Sequence, residues 1–138
     1  MSECEPLTLR FPARPSSLKR IRGAVADRAR QLGCGDACMR DIVIAVDEAC
    51  QNIIRHAYGR RRGDVVLEMR RDGDALIVRL IDFAAPVDVS RIRPRPLDEL
   101  RPGGLGTHLM CAVMDEVVFL PAPEGCGNML QMVKRIAP

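Results

Sequence analysis

Aromatic side chains are nearly missing from this chain, which has no Trp, one Tyr and three Phe in 138 residues. Its core must therefore be aliphatic, built from Val, Leu, Ile, Met and Ala. Lysine is almost as scarce: Lys19 and Lys134 stand among 21 basic residues, so Arg carries the positive charge. The net charge of +3 is too small to argue for a nucleic-acid surface, and no RNA- or DNA-binding signature is present. No apolar run approaches the ~18 residues of a membrane span, and no basic segment leads into an apolar stretch at the N-terminus. Together these absences predict a cytoplasmic protein with no signal peptide and no membrane or direct nucleic-acid partner. CxxC pairs are also lacking. The six cysteines (Cys4, Cys34, Cys38, Cys50, Cys111, Cys126) are expected to be reduced, mostly buried thiols. Cys34, Cys38, His108 and Cys111 do not show the short paired spacing of zinc ligands.

What is there suits one domain spanning residues 1–138. Leu7, Leu9 and Phe11 alternate with Thr8 and Arg10, a strand pattern. A serine at 16–17 is placed to cap a helix whose apolar positions are Leu18, Ile21, Val25, Ala29 and Leu32 and which stops at Gly33. Asp36 is placed to cap a second helix, with Ile42, Val43, Val46, Ala49, Cys50, Ile53 and Ala57 as its stripe and Gly59 as its end. "VVLEMRRDGDALIVRLID" predicts a hairpin turning at Asp72-Gly73. Residues 83–104 hold four prolines and no lasting period, the profile of a lid or binding loop. Helical character resumes in "LGTHLMCAVM", followed by strands in "DEVVFLP" and "NMLQMVKRI". The order β-α-α-β-β-loop-α-β-β favours a two-layer α/β sandwich, a mixed, largely antiparallel sheet with helices on one face.

Two stretches point to chemistry. In "VDEACQNIIRHAYG", residues 46–59, Glu48, Asn52 and His56 recur every four residues and so share one side of a helix. Spacing alone describes a solvated face, but apolar residues crowd it on both sides. In "RPGGLGTHLM", residues 101–110, glycines stand immediately before a helix, where freed amides and the positive end of the dipole suit phosphate oxygens. A carboxylate to take a proton, an amide oxygen for Mg²⁺ and glycine amides for phosphates form a coherent set.

These motifs resemble the GHKL ATPase superfamily, whose Bergerat nucleotide-binding fold is shared by gyrase, histidine kinases and heat-shock chaperones. "DEACQNIIRHAYG" resembles the N-box of the anti-sigma-factor serine/threonine kinases, roughly E-A-x-x-N-x-x-x-H-A-Y. "GGLGTHLMCAVMDEVVF" resembles their second glycine box and "GNMLQMVKRI" their last strand. The resemblance implies ATP and Mg²⁺ as cofactors and phosphorylation of an antagonist (anti-anti-sigma-like) protein, with a sigma factor or similar regulator sequestered. It leaves a homodimer open. It implies Glu48 as the base acting on the substrate serine and Asn52 as nucleotide contact and Mg²⁺ ligand. Asp82 would accept from the adenine amine, Gly104, Gly106 and Thr107 would hold nucleotide, and residues 89–103 would form the lid. His56 and Tyr58 match the N-box ending.

The first glycine box, D-x-G-x-G in relatives, is here Asp82-Phe83-Ala84-Ala85-Pro86, with both glycines replaced. If those positions need positive φ, Ala costs about 1–2 kcal/mol and Pro cannot adopt it. Asn128 and Met129 stand where many relatives carry a threonine near the adenine; an amide can replace that hydrogen bond and a thioether cannot. The altered box favours a second account, a partner-binding module without phosphoryl transfer. A detached histidine-kinase catalytic domain fits less well, because no helix pair with a phosphoacceptor His is present.

Overall fold

The computed structural model describes residues 6–58, 62–84 and 104–136, without the side chains of 56–58 and 104–108. Five strands form one sheet: β1 (Leu7–Pro12), β2 (Asp64–Asp72), β3 (Ala75–Asp82), β4 (Glu116–Leu120) and β5 (Asn128–Arg135). Their spatial order is β1-β2-β3-β5-β4, and all four ladders are antiparallel. The helices are α1 (Leu18–Gln31), α2 (Asp36–Asn52) and α3 (Gly104–Val113).

The period-two pattern decides which strand face meets the helices. Phe11, Val65, Leu67, Met69, Leu76, Val78, Leu80, Leu130 and Met132 are buried, and their strand neighbours point the other way. Ile21, Val25 and Ala29 of α1, Ile42, Val46, Ala49 and Cys50 of α2, and Met110 of α3 complete the same core. The expected two-layer α/β sandwich is thus present, with an aliphatic core in which Phe11 is the one buried aromatic among the described residues.

Several local expectations shift. Ser17 stands at the N-cap of α1, but its side chain makes no capping hydrogen bond. A 3₁₀ turn (Pro15–Ser17) precedes the helix, and the Ser17 hydroxyl donates to the Pro12 carbonyl at 2.8 Å, pinning the end of β1. Gly35, not Asp36, is the N-cap of α2, and Asp36 contributes only its charge to the first turn. The hairpin turns on Gly73-Asp74 rather than Asp72-Gly73, because Asp72 pairs with Ala75. Gly73 takes φ of +61° and Asp74 does not go positive, which fits glycine at the first position of a two-residue loop. Regular α-geometry ends at Asn52, and Ile53–Tyr58 continues as a π-helix. Gly59, the expected stop, lies outside the described residues.

Polar ties fix α2 against its neighbours. Lys134 on β5 donates to Asp41 Oδ2 at 2.9 Å and to the carbonyl of Val113, the last residue of α3, at 2.6 Å. A cation there also complements the negative end of α3. No helix among the described residues is long and apolar enough to cross a membrane.

Candidate functional site

The end of the β3–β5 ladder is a buried polar cluster. Asp82 closes β3, Asn128 opens β5, and the two are cross-strand partners. Both face the helix side, at 3% and 8% exposure, where an unpartnered polar group is costly. The sequence supplies partners. Asn128 Nδ2 donates to Asp82 Oδ1 at 2.9 Å, and the Ala84 amide donates to the same oxygen at 3.1 Å. Burial raises the Asp82 pKa above its ordinary value, and these hydrogen bonds pull it part of the way back. The backbone of Asn128 also hydrogen-bonds this carboxylate, so its orientation is fixed by both strands.

Gly127 makes this close packing feasible. Its amide donates to the Asp82 carbonyl at 2.8 Å, extending the ladder past Asn128. A Cβ at Gly127 would fall on the Ala84 backbone carbonyl. Ala84 itself has no positive φ, so the strain expected for an alanine in the first glycine box is not incurred there. The steric demand falls instead on the facing strand. Pro86 lies outside the described residues.

The second cluster is the end of α2. Asp47 and Glu48 are adjacent acids with different surroundings. Asp47 is engaged through both oxygens, by Arg22 Nη1 of α1 at 2.8 Å and by Gln51 Nε2 at 2.7 Å. It therefore holds α1 to α2. Glu48 lies about 100° further round the helix and is half-buried. One turn on, Asn52 is also half-buried, yet its Oδ1 is fully buried with no hydrogen-bond partner among the described residues. A buried amide oxygen without a donor is rare and destabilising in itself. As a hard, neutral oxygen it is the kind of ligand that Mg²⁺ accepts alongside waters and phosphates. The π-helix begins immediately after it, a local geometry frequent at functional sites.

The third element is the start of α3. Gly104 is its first residue, which puts Gly104, Gly106 and Thr107 in the first turn, where amides lack intrahelical acceptors. α3 packs against α2. The fold thus brings Asp82 together with Asn128 and lays the helix that opens at Gly104 along the helix that carries Glu48 and Asn52. The side chains of Thr107, His56 and Tyr58 and the whole of residues 89–103 lie outside the described residues. Gly127 was missed in the sequence. Its only signal was a glycine just before a strand in "GCGN", which is as easily a plain turn.

The comparisons with known proteins agree with this architecture. The family model described as histidine kinase-like ATPase domain matches residues 11–134. The chain is 27% identical over 128 residues to proteins named serine-protein kinase RsbW from Bacillus cereus (strain Q1) and Bacillus mycoides (strain KBAB4), covering 87% of this chain and 80% of each. Among solved structures it resembles the RsbU and RsbW domains of Rv1364c from Mycobacterium tuberculosis. There the TM-score is 0.68 at 16% identity, over 96% of this chain and 32% of that one. It also resembles the histidine kinase domain of the blue-light activated kinase EL346 from Erythrobacter litoralis. That match has a TM-score of 0.58 at 19% identity, over 88% of this chain and 60% of that one. At these identities the two structures speak for the fold alone, and the chain spans about a third of the first and three fifths of the second. With the family model covering nearly all of the described sheet and helices, this chain belongs to the histidine kinase-like ATPase domain family.

Proposed function

We propose that this chain is an ATP- and Mg²⁺-dependent protein serine/threonine kinase of the anti-sigma type, acting in the cytoplasm on an antagonist protein while sequestering a sigma factor or similar regulator. The observation that carries this is the buried Asn52 Oδ1, which has no hydrogen-bond partner among the described residues, one turn after a half-buried Glu48. A fold tolerates an orphaned amide oxygen more readily when a ligand satisfies it in the working state. Mg²⁺, when bound, neutralises phosphate charge during transfer. Asn52 offers it one oxygen. Glu48 takes the proton of the substrate hydroxyl, while Asp47 stays committed to Arg22 and Gln51. Asp82, held by Asn128 and Ala84, receives the adenine amine. The first-turn amides of α3 at Gly104, Gly106 and Thr107 receive phosphate oxygens. The likeness to RsbW serine-protein kinases supports the reaction class and the kind of protein partner.

Glu48→Gln separates chemistry from binding. The amide cannot accept the hydroxyl proton, so ATP affinity should be kept and phosphoryl transfer to the antagonist lost. Equal loss of both would show that the change only loosened the helix. The replaced first glycine box favours a second reading, a partner-binding module of the same fold. Wild-type protein that captures its protein partner but shows no Mg²⁺-dependent ATP binding would establish that reading instead.

A further inference from the structure

The turn between α1 and α2 brings two thiols into contact, far from the clusters described above. Gly33, at φ of +102°, carries the chain out of α1, and the Cys34 amide bonds back to the Ala29 carbonyl at 3.0 Å. α2 then starts at Asp36, so Cys34 sits just ahead of the helix and Cys38 in its first turn. Their Sγ atoms lie 2.7 Å apart, and neither is in a disulfide. The two differ in access: Cys34 is buried and Cys38 half-buried. Arg71, whose guanidinium is anchored on the Leu32 and Gly73 carbonyls, and Lys134, paired with Asp41, both favour negative charge at Cys34. Burial acts the other way and pushes the Cys34 thiol up to about 12. The other described cysteines (Cys50, Cys111 and Cys126) are free thiols too, and Cys111 is exposed, against the expectation of mostly buried thiols.

We propose that Cys34 and Cys38 are a reversible oxidation site that consumes a hydroperoxide and closes to an intramolecular disulfide. Cys38, the more accessible sulfur, meets the oxidant. Its thiolate attacks one oxygen of hydrogen peroxide and the O–O bond breaks. The hydroxide released takes up the proton that Cys38 had lost, giving water, and Cys38 is left as a sulfenic acid. Cys34 then attacks the Cys38 sulfur. The S–S bond forms, the S–O bond breaks, and the departing hydroxide takes the Cys34 proton as a second water. Two thiols have lost two electrons between them and one peroxide has been reduced. A dithiol reductant reverses the bond by exchange. The site is independent of nucleotide, because Cys38 lies about 21 Å along α2 from Asn52.

The test is peptide mapping of reduced, full-length protein after a small excess of hydrogen peroxide, with alkylation in denaturant. Trypsin cuts after Arg30 and Arg40, so peptide 31–40 carries both sulfurs. It should lose two hydrogens and escape alkylation before the exposed Cys111 is modified, and dithiothreitol should restore it. Cys34→Ser should stop the reaction at a Cys38 sulfenic acid, trapped by dimedone, while Cys38→Ser should leave Cys34 open to alkylation. The wild-type map does not depend on either variant folding. The proposal is overturned if both thiols stay alkylatable while Cys111 oxidises. Pairing of Cys38 with another cysteine, or its passage to sulfinic acid without a disulfide, would also overturn it.

Discussion

The two buried polar clusters of this molecule treat their side chains in opposite ways. At the β3–β5 end, Asp82 is met by Asn128 and by the Ala84 amide, and Gly127 lets the backbones close around it. At the end of α2, the Asn52 oxygen is buried with no donor among the described residues. One cluster is complete in the protein alone and holds a carboxylate in a fixed orientation. The other, in the proposed function, is completed by the bound metal. Under the proposed function, a rigid cluster would meet the base and the open oxygen would meet the metal on the phosphates. Substitutions in the two clusters should therefore shift stability in opposite directions.

Gly127→Ala should have the largest effect. The added methyl meets backbone, which cannot rotate away, so the β3–β5 end must separate. A loss of about 3 kcal/mol is expected in denaturant titration, and a loss below 1 kcal/mol would mean that the strands part easily there. Asn128→Ala comes next. It strips one donor from a buried carboxylate, at a cost of about 2 kcal/mol. Its pH dependence has a definite sign. The folded-state pKa of Asp82 is already raised by burial, and the Asn128 hydrogen bond lowers it. Without that bond it rises further, so the folded state binds more protons than the unfolded chain. Stability should then fall more steeply than in the parent as pH climbs from the ordinary Asp value of 3.8 through the raised folded value. Parallel pH profiles for parent and variant would contradict the hydrogen bond's role.

Asn52→Ala should go the other way. Removing an orphaned buried oxygen removes its desolvation cost, so the ligand-free protein should be unchanged or more stable by about 1 kcal/mol. A clear destabilisation would show that the oxygen has a partner in solution and would erase the contrast between the clusters. Ala84→Gly should be the mildest change. Ala84 has no positive φ to relieve, so glycine adds only unfolded-chain entropy, a loss of about 0.5–1 kcal/mol with no gain in nucleotide affinity. An increase in affinity would show that the alanine methyl crowds the nucleotide after all.

Much of the fold could be read from the chain because its signals were local. Alternation at Leu7, Leu9 and Phe11, the three-four stripe of α1 and the turn glycines each follow from steric rules within a few residues. The placement of Glu48 and Asn52 one turn apart on a helix was legible for the same reason. What escaped depended on contacts between distant segments. Ser17 has the right type for a cap, but the Pro12 carbonyl takes its hydroxyl. Asp47 and Glu48 look alike in sequence, and Arg22, arriving from α1, helps to tell them apart. Gly127 is required by Ala84, 43 residues earlier in the chain, across a ladder whose pairing no local pattern discloses. The π-helix after Asn52 has no composition signal in "IIRHAY".

Calorimetric titration of ATP into the parent and into Asn52→Ala, each with and without Mg²⁺, tests the central claim most directly. The parent should bind ATP more tightly with Mg²⁺ than without. Asn52→Ala should lose that Mg²⁺-dependent gain while folding at least as stably. Tight binding that ignores Mg²⁺, or an Asn52→Ala variant that keeps the full metal dependence, would contradict the assignment of the orphaned oxygen to the metal and the kinase account built on it.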